Sequence, residues 1–274
     1  MHQVSRKGGR PKNEDRMGYS YTRRAGLFAL ADGLGGHPEG EVAAHLALKA
    51  LSDAFQRLAT PALADPAAFL QAAALSGHQL LRDYAARKGL PDTPRTTLIA
   101  CVLQGDAAWW AHCGDSRLYL VRRGELVART RDHSYLELRR AMPAMPADEH
   151  LNRNVLFTCL GSPGEPVVDV YGPLRLQAGD RLFLCSDGLW GNLADEVITR
   201  HLADHPISRS VPGLVDMALH KGGRRCDNVT ALCVEWESAE GGSDATAEAA
   251  AEAVAEGGFP AAVEPLEPAL AART

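Results

Sequence analysis

Apolar residues recur along this chain in two rhythms. Across 41–59 the residues Val42, Leu46, Ala50, Ala54 and Leu58 fall four apart, which predicts one stripe of a helix. A second helix is predicted from Asp65, an N-cap with Pro66 in the first turn, to about Lys88, where Gly89 stops it. Phe69, Ala73, Leu80 and Tyr84 mark its expected buried face. Elsewhere short unbroken apolar runs take over. Residues 26–31 read as a strand feeding the glycine-rich turn at Asp32-Gly33. The runs 96–103, 107–113, 117–122 and 125–130 predict a meander, with Gly105-Asp106 and Arg123-Gly124 as hairpin turns. Ser134 and Glu137 form a capping box for a short helix, and 141–154, broken by Pro143 and Pro146, reads as an irregular surface segment. Further strands are expected at 155–160, 167–171, 181–186 and 230–236, with helices at 193–203 and 212–220. Strands and helices come in blocks, so the fold class is α+β with mainly antiparallel sheets.

Composition narrows the picture. Of 274 residues 46% are hydrophobic, enough for a folded core. The net charge is −5, and residues 238–274 alone hold seven acidic residues against one basic. The body is thus nearly neutral, with no nucleic-acid footprint. Thirteen of those last 37 residues are alanine, and large apolar side chains are scarce, so 238–274 is expected to be a disordered acidic tail after a domain at 1–237. No apolar run approaches the ~18 residues that span a bilayer. The first residues lack an apolar signal core, so a cytoplasmic protein with no membrane role is expected. Six cysteines sit in or beside apolar runs without C-x-x-C spacing and read as free, buried thiols. No close-spaced Cys or His pairs suggest zinc.

Four short motifs carry the chemistry: A-D-G-L-G-G-H (31–37), C-G-D-S-R (113–117), C-S-D-G-L-W (185–190) and C-D-N-V-T (226–230). Each sets an Asp beside Gly, Ser or Asn, next to a strand-like run. Carboxylates held at strand ends can converge on hard divalent cations, which take oxygen ligands. A single Asp-Gly is an ordinary turn signal. Four such motifs point instead to a Mg or Mn cluster and to phosphoester hydrolysis.

With G-R-P-K-N-E-D (9–15), T-T-L (96–98), R-D-H-S (131–134) and L-G-S (160–162) added, the ordered set resembles the metal-dependent protein Ser/Thr phosphatases of type 2C, over residues 9–235. The resemblance implies a four-layer α-β-β-α sandwich with two metals at one end. Asp32 would bridge them, the Gly33 carbonyl would complete the ligands of the second ion, and Asp187 and Asp227 would bind the first ion. Asp115 would hold a third, weaker ion, sharing Asp187. Glu14 and Asp15 would hold metal-bound waters, and Arg10 would grip the phosphoryl group, its planar fork matching two phosphate oxygens. Two Mn or Mg ions would activate a bridging hydroxide for direct attack. Gly33 would present its carbonyl without a side chain crowding the cations. Phosphorylated proteins would be the substrates, a Ser/Thr kinase the opposing partner, and the enzyme a bacterial monomer.

Two positions depart from the family pattern. Leu34 stands where many members have a histidine suited to protonating the leaving group, leaving His37 as a weaker candidate acid. Gly191 stands where an acidic residue is frequent, which lowers the expected affinity for the third ion. Residues 135–153 match the family's flap poorly. Asp132 and Ser134 read as helix caps, and Trp109 and Trp110 as packing on opposite faces of one strand. The alternatives are a phosphoprotein-binding scaffold, an anti-sigma-antagonist phosphatase and a small-phosphoester hydrolase. The complete carboxylate set argues against the first, and the Arg10–Asp15 element against the second.

Overall fold

Runs of residues buried on every side shape this molecule. In β4 (Leu98–Gln104) all but the last residue is buried, and in β9 (Arg181–Cys185) all but the first. Such strands read as continuous apolar segments because both of their faces are covered. In a computed structural model, residues 1–142 and 155–237 are described. The chain divides into units Met1–Gly241 and Gly242–Thr274. The expected tail at 238–274 lies outside the described residues.

One sheet has the order β1 (His2–Arg6), β10 (Val229–Glu235), β9, β6 (Arg117–Arg122), β7 (Glu125–Arg129). The other runs β2 (Asp15–Tyr21), β3 (Ala25–Asp32), β4, β5 (Ala107–Cys113), β8 (Asp169–Arg175). All their pairings are antiparallel. Leu30, Ile99 and Trp110 of one sheet meet Leu118, Leu184 and Leu232 of the other in a shared core. Alternate residues of the first sheet, Tyr119, Phe183 and Cys185, point away from it and pack with Leu202, Leu214 and Val215. Those last residues belong to α5 (Asp195–Asp204) and α6 (Ile207–Gly222). On the far side α1 (Gly40–Leu58) and α2 (Pro66–Lys88) pack together, and α1 covers β2 and β3. The result is the expected α-β-β-α sandwich. All six cysteines are buried and free.

Several local expectations need correction. The four strands from 96 to 130 are not one meander: β4 and β5 pair in one sheet, β6 and β7 in the other. Residues 114–116 therefore cross between sheets, and Asp115 does not cap a hairpin. The α1 stripe is also misplaced. Ala43, Ala44, Ala47, Leu48, Leu51 and Phe55 are buried, while Leu58 is exposed. The buried row Ala43, Ala47, Leu51 and Phe55 also steps by four, but it lies one residue, about 100° of helix turn, to the side of the expected stripe. In α2 Phe69 and Ala73 are buried as expected, and the row continues in steps of four through Gly77 to Leu81 and Ala85, which take the places of Leu80 and Tyr84. Residues 155–160 make only isolated bridges, Leu156 to Ser134 and Leu160 to Thr96. α6 starts five residues before Pro212, which sits inside it. The short helix α3 (Tyr135–Ala141) forms with Ser134 as its cap, accepting from the Glu137 N–H at 3.2 Å. The remaining expected flap, 143–153, lies outside the described residues.

Candidate active site

The two sheets end together, and their ends bear the carboxylates. Asp32 closes β3 and Asp15 opens β2 directly opposite it in register. Asp187 opens the one-turn helix α4 (Asp187–Trp190) just after β9, and Asp227 lies two residues before β10. Asp115 lies in the crossover. Asp32, Gly33, Asp115, Asp187, Asp227, Arg10 and Glu14 all line one groove of about 230 Å³, with Leu34 and Leu156 at its walls. Asp15 lies beneath it, buried, accepting from the Ser186 hydroxyl at 2.8 Å.

The other residues of each motif fix the backbone that carries these groups. Thr96 Oγ1 donates to the Asp32 carbonyl at 2.9 Å, the Thr97 N–H donates to that carbonyl at 2.8 Å, and the Asp32 N–H donates to Thr97 Oγ1 at 3.0 Å. Thr97 Oγ1 also bonds Ser116 Oγ at 2.7 Å, joining the β3 end to the crossover. The Trp190 indole N–H donates to the Asp115 carbonyl at 2.9 Å, and the Arg117 guanidinium stacks 3.6 Å from that indole's centroid. Arg117 in turn makes a two-pronged bond to Asp132, both contacts at 2.7 Å. Asp132 is therefore a buried ion-pair partner rather than a helix cap.

Asn228 ties the N-terminal loop to β10. Its amide donates to the Lys7 and Lys12 carbonyls at 2.8 Å, and its Oδ1 accepts from the Glu14 N–H at 2.8 Å. Arg10 and Glu14 sit on the loop so held. Sequence reading left Asn228, Ser186 and Trp190 without roles, although each stands beside a motif Asp. A Cβ on Gly33 would lie 2.3 Å from the Gly40 carbonyl oxygen. Close packing against the start of α1 thus requires glycine there, independently of any cation.

Electrostatics sets this groove apart. Burial drives Asp32 well above the usual carboxylate range, and Asp15, Asp187, Asp115 and Asp227 push it further the same way. Asp115 is raised by burial, then by Asp187 and Asp132. Asp187 is pushed up to about 7 by burial, then by Asp227 and Asp15. Asp15 is pushed up to about 6, mainly by burial, despite bonds from Thr230 and Ser186. Its Oδ1 is buried without a donor. The cation of the groove lining is Arg10, which bonds Asp227 at 2.5 Å and is half exposed. Oxygen donors gathered at this density with so little positive charge fit hard divalent cations, whose binding would relieve both the repulsion and the orphaned oxygen.

Two expectations about histidine change. His37 Nδ1 lies 2.7 Å from Asp92 Oδ2, so the side chain is engaged away from the carboxylates. His112, His133 and Asp169, far apart in sequence, bring ligand atoms within 4.8 Å of one another, which a search for close-spaced pairs misses. His133 Nδ1 accepts from the Gly114 N–H at 3.2 Å, so in the neutral ring the proton is on Nε2, facing Asp169 at 3.3 Å. A metal at Nε2 would have to displace that proton. The bonded tautomer instead makes His133 a brace for the Gly114–Asp115 crossover, and the His133 N–H adds a second bond to the Gly114 carbonyl at 2.9 Å.

Known proteins resemble this chain in sequence and fold. The chain is 35% identical over 231 residues to the serine/threonine protein phosphatase PstP of Mycobacterium tuberculosis, an alignment covering 82% of this chain. It spans only 42% of PstP's length. It is 30% identical to the serine/threonine phosphatase stp of Listeria innocua, over 86% of this chain and 95% of the relative. The crystal structure of the PstP catalytic domain in complex with two manganese ions superposes with a TM-score of 0.71 at 32% identity, covering 85% of this chain and 96% of that one. The family model for protein phosphatase 2C matches residues 5–211, so the chain belongs to the protein phosphatase 2C family.

Proposed function

We propose that this chain is a metal-dependent phosphatase that removes phosphoryl groups from phosphoserine and phosphothreonine in proteins. The observation that carries the reading is the groove in which carboxylates from both sheets, buried or half-buried, converge beside Arg10. In this reading Asp32, Asp187, Asp227 and the Gly33 carbonyl would hold two Mn or Mg ions, and Asp115 would hold a third, weaker one. A bound divalent pair supplies Lewis acidity and lowers the pKa of water from 15.7 to about 7.

The chain's own groups do the rest. Arg10, exposed at the groove rim, presents guanidinium N–H groups to the phosphoryl oxygens and neutralises charge that grows on them. Glu14, which lines the groove, and Asp15, whose Oδ1 has no donor, would hold and orient water. Thr96 and Thr97 keep the Asp32 backbone from shifting as charge moves. Leu34 cannot give a proton and His37 is bonded to Asp92, so the leaving oxygen takes its proton from water.

In this reading the working unit is a monomer. The substrate chemistry requires a Ser/Thr kinase upstream, and six free cysteines favour a reducing, cytoplasmic setting. Among the described residues no helix is long and apolar enough to cross a membrane. Hydrolysis of p-nitrophenyl phosphate and of phosphothreonine peptides should require Mn or Mg and stop in excess EDTA. Full activity in chelator would overturn the assignment.

A further inference from the structure

Next to the groove lies a second pocket of about 350 Å³, and the two share Arg10, Asp187 and Asp227 as a common wall. Its far wall is formed by the last turn of α6 and the tight turn Gly223–Arg225 that follows, which contribute Lys221 and Arg225. Neither side chain has a carboxylate or hydrogen-bond partner among the described residues. The backbone presenting them is closely packed: a Cβ on Gly222 would lie 2.7 Å from both Cys226 Cβ and Sγ. Gly223, at φ 56°, caps α6 and turns the chain back toward Asp227.

A lysine in the last turn of a helix is ordinary, because the helix C-terminus favours cations. That explains Lys221 alone. It does not explain Arg225, which follows the helix and lines the same pocket. Among the described residues Asp187 and Asp227 are the pocket's only carboxylates, and both line the carboxylate groove as well. With those two engaged by cations, the wall offers Arg10, Lys221 and Arg225 to whatever enters.

We propose that this pocket is a specificity subsite for an anionic side chain adjacent to the phosphorylated residue of the substrate. The inference rests on the phosphatase reading above. An extended peptide advances ~3.3 Å per residue. With its phosphoryl group in the groove, a residue one or two positions away therefore reaches the neighbouring pocket. A carboxylate or a second phosphate has the charge to pair with Lys221 and Arg225, and phosphate also matches the arginine fork.

The test uses the full chain with Mn and phosphothreonine peptides of equal length. Their flanking positions carry Asp, phosphoserine, Ala or Lys in turn, on either side. The wild type should cleave acidic-flanked peptides with kcat/KM at least fivefold above the Ala peptide, mainly through KM, and the advantage should shrink as salt rises. The double variant Lys221→Ala, Arg225→Ala should lose that preference. It should keep its rates on the Ala peptide and on p-nitrophenyl phosphate, and its Tm, since both side chains are exposed. Arg225→Glu should favour the Lys-flanked peptide. The relative gain from Asp and from phosphoserine shows which anion the subsite takes. Equal preference in wild type and double variant, or none in the wild type, would overturn the subsite while leaving the phosphatase reading intact. If p-nitrophenyl phosphate is cleaved but no phosphopeptide is, the protein-substrate reading fails. The subsite then stands or falls on whether an acidic peptide inhibits the wild type more than the double variant.

Discussion

Two sets of aspartates in this molecule, buried or half-buried, have opposite surroundings. Asp132 and Asp180 are each held by a two-pronged arginine, Arg117 and Arg122, at 2.7 to 2.8 Å. Asp15, Asp32, Asp115 and Asp187 lie at the end of the sandwich with each other for neighbours, and all four are pushed toward holding their protons. A buried carboxylate is expensive unless it is paired or coordinates a metal. The first set meets that condition within the protein. The second meets it only with cations from outside, so the contrast separates structural charge from functional charge without reference to any relative.

The largest expected effect splits the two sets by one substitution in each. Asp32→Asn should cut turnover by more than about 100-fold, because losing groups that only support metal ligands already costs 10–100-fold. In chelator the same variant should melt higher than wild type, since it removes one buried charge from a repelling set. Asp132→Asn should do the reverse, lowering stability by roughly 3 kcal/mol. That is the low end for a broken buried pair, because Asp195 still lies 3.3 Å from Arg117. Thermal melts with and without Mn, beside p-nitrophenyl phosphate kinetics, check both. A chelated Asp32→Asn protein that melts lower than wild type would erase the comparison.

The second expectation concerns pH. Asp15 and Asp187 have folded pKa values of about 6 and about 7, above the ordinary 3.8. Their protonated forms therefore favour the fold. The contribution is fully present below about pH 3.8 and is lost as pH rises through 6 to 7, with at most about 1.4 kcal/mol per pH unit for each group. Metal-stripped protein should thus melt progressively lower from pH 5 to pH 7.5. Mn-loaded protein should not follow, because cations replace the protons, and Mn binding near pH 6.5 should release protons measurable by calorimetry in buffers of different ionisation heat. A flat curve for the stripped protein would mean that the carboxylates are not mutually repelling.

What could be read from sequence divides along similar physical lines. The central strands were legible because both faces are buried and the apolar runs are unbroken. β1 and β2 escaped because they are the outermost strands of their sheets, and His2–Arg6 and Asp15–Tyr21 carry many polar residues, as edges do. The Asp residues of the groove were legible as motifs. The crossing of 114–116 between sheets was not, since a short Gly-Asp-Ser link looks the same in a hairpin. Nor were the braces Asn228, Thr97 and Trp190, whose work is to bond backbone far away in sequence, which no local pattern encodes.

The smallest expected effect tests whether such a brace matters to the weaker of the cation sites. Trp190 makes two separable contacts: its ring lies under Arg117, and its N–H reaches the Asp115 carbonyl at 2.9 Å. Trp190→Phe keeps an aromatic face for Arg117 and removes the N–H. A single net hydrogen bond is worth about 1 kcal/mol, or roughly fivefold in an equilibrium constant. The Asp115 backbone should therefore loosen by that amount, and the metal concentration for half-maximal rate should rise about fivefold if Asp115 holds the outer ion. Binding of the first two ions, followed by calorimetry, should be unchanged, because Asp32, Asp187 and Asp227 receive no bond from this indole. Trp190→Leu, which also removes the stacking partner of Arg117, should add a loss of thermal stability that Trp190→Phe does not show. If Trp190→Phe instead weakens the first two ions as much as the outer one, the groove responds as one rigid unit. The distinction between the Asp115 site and the inner pair then disappears.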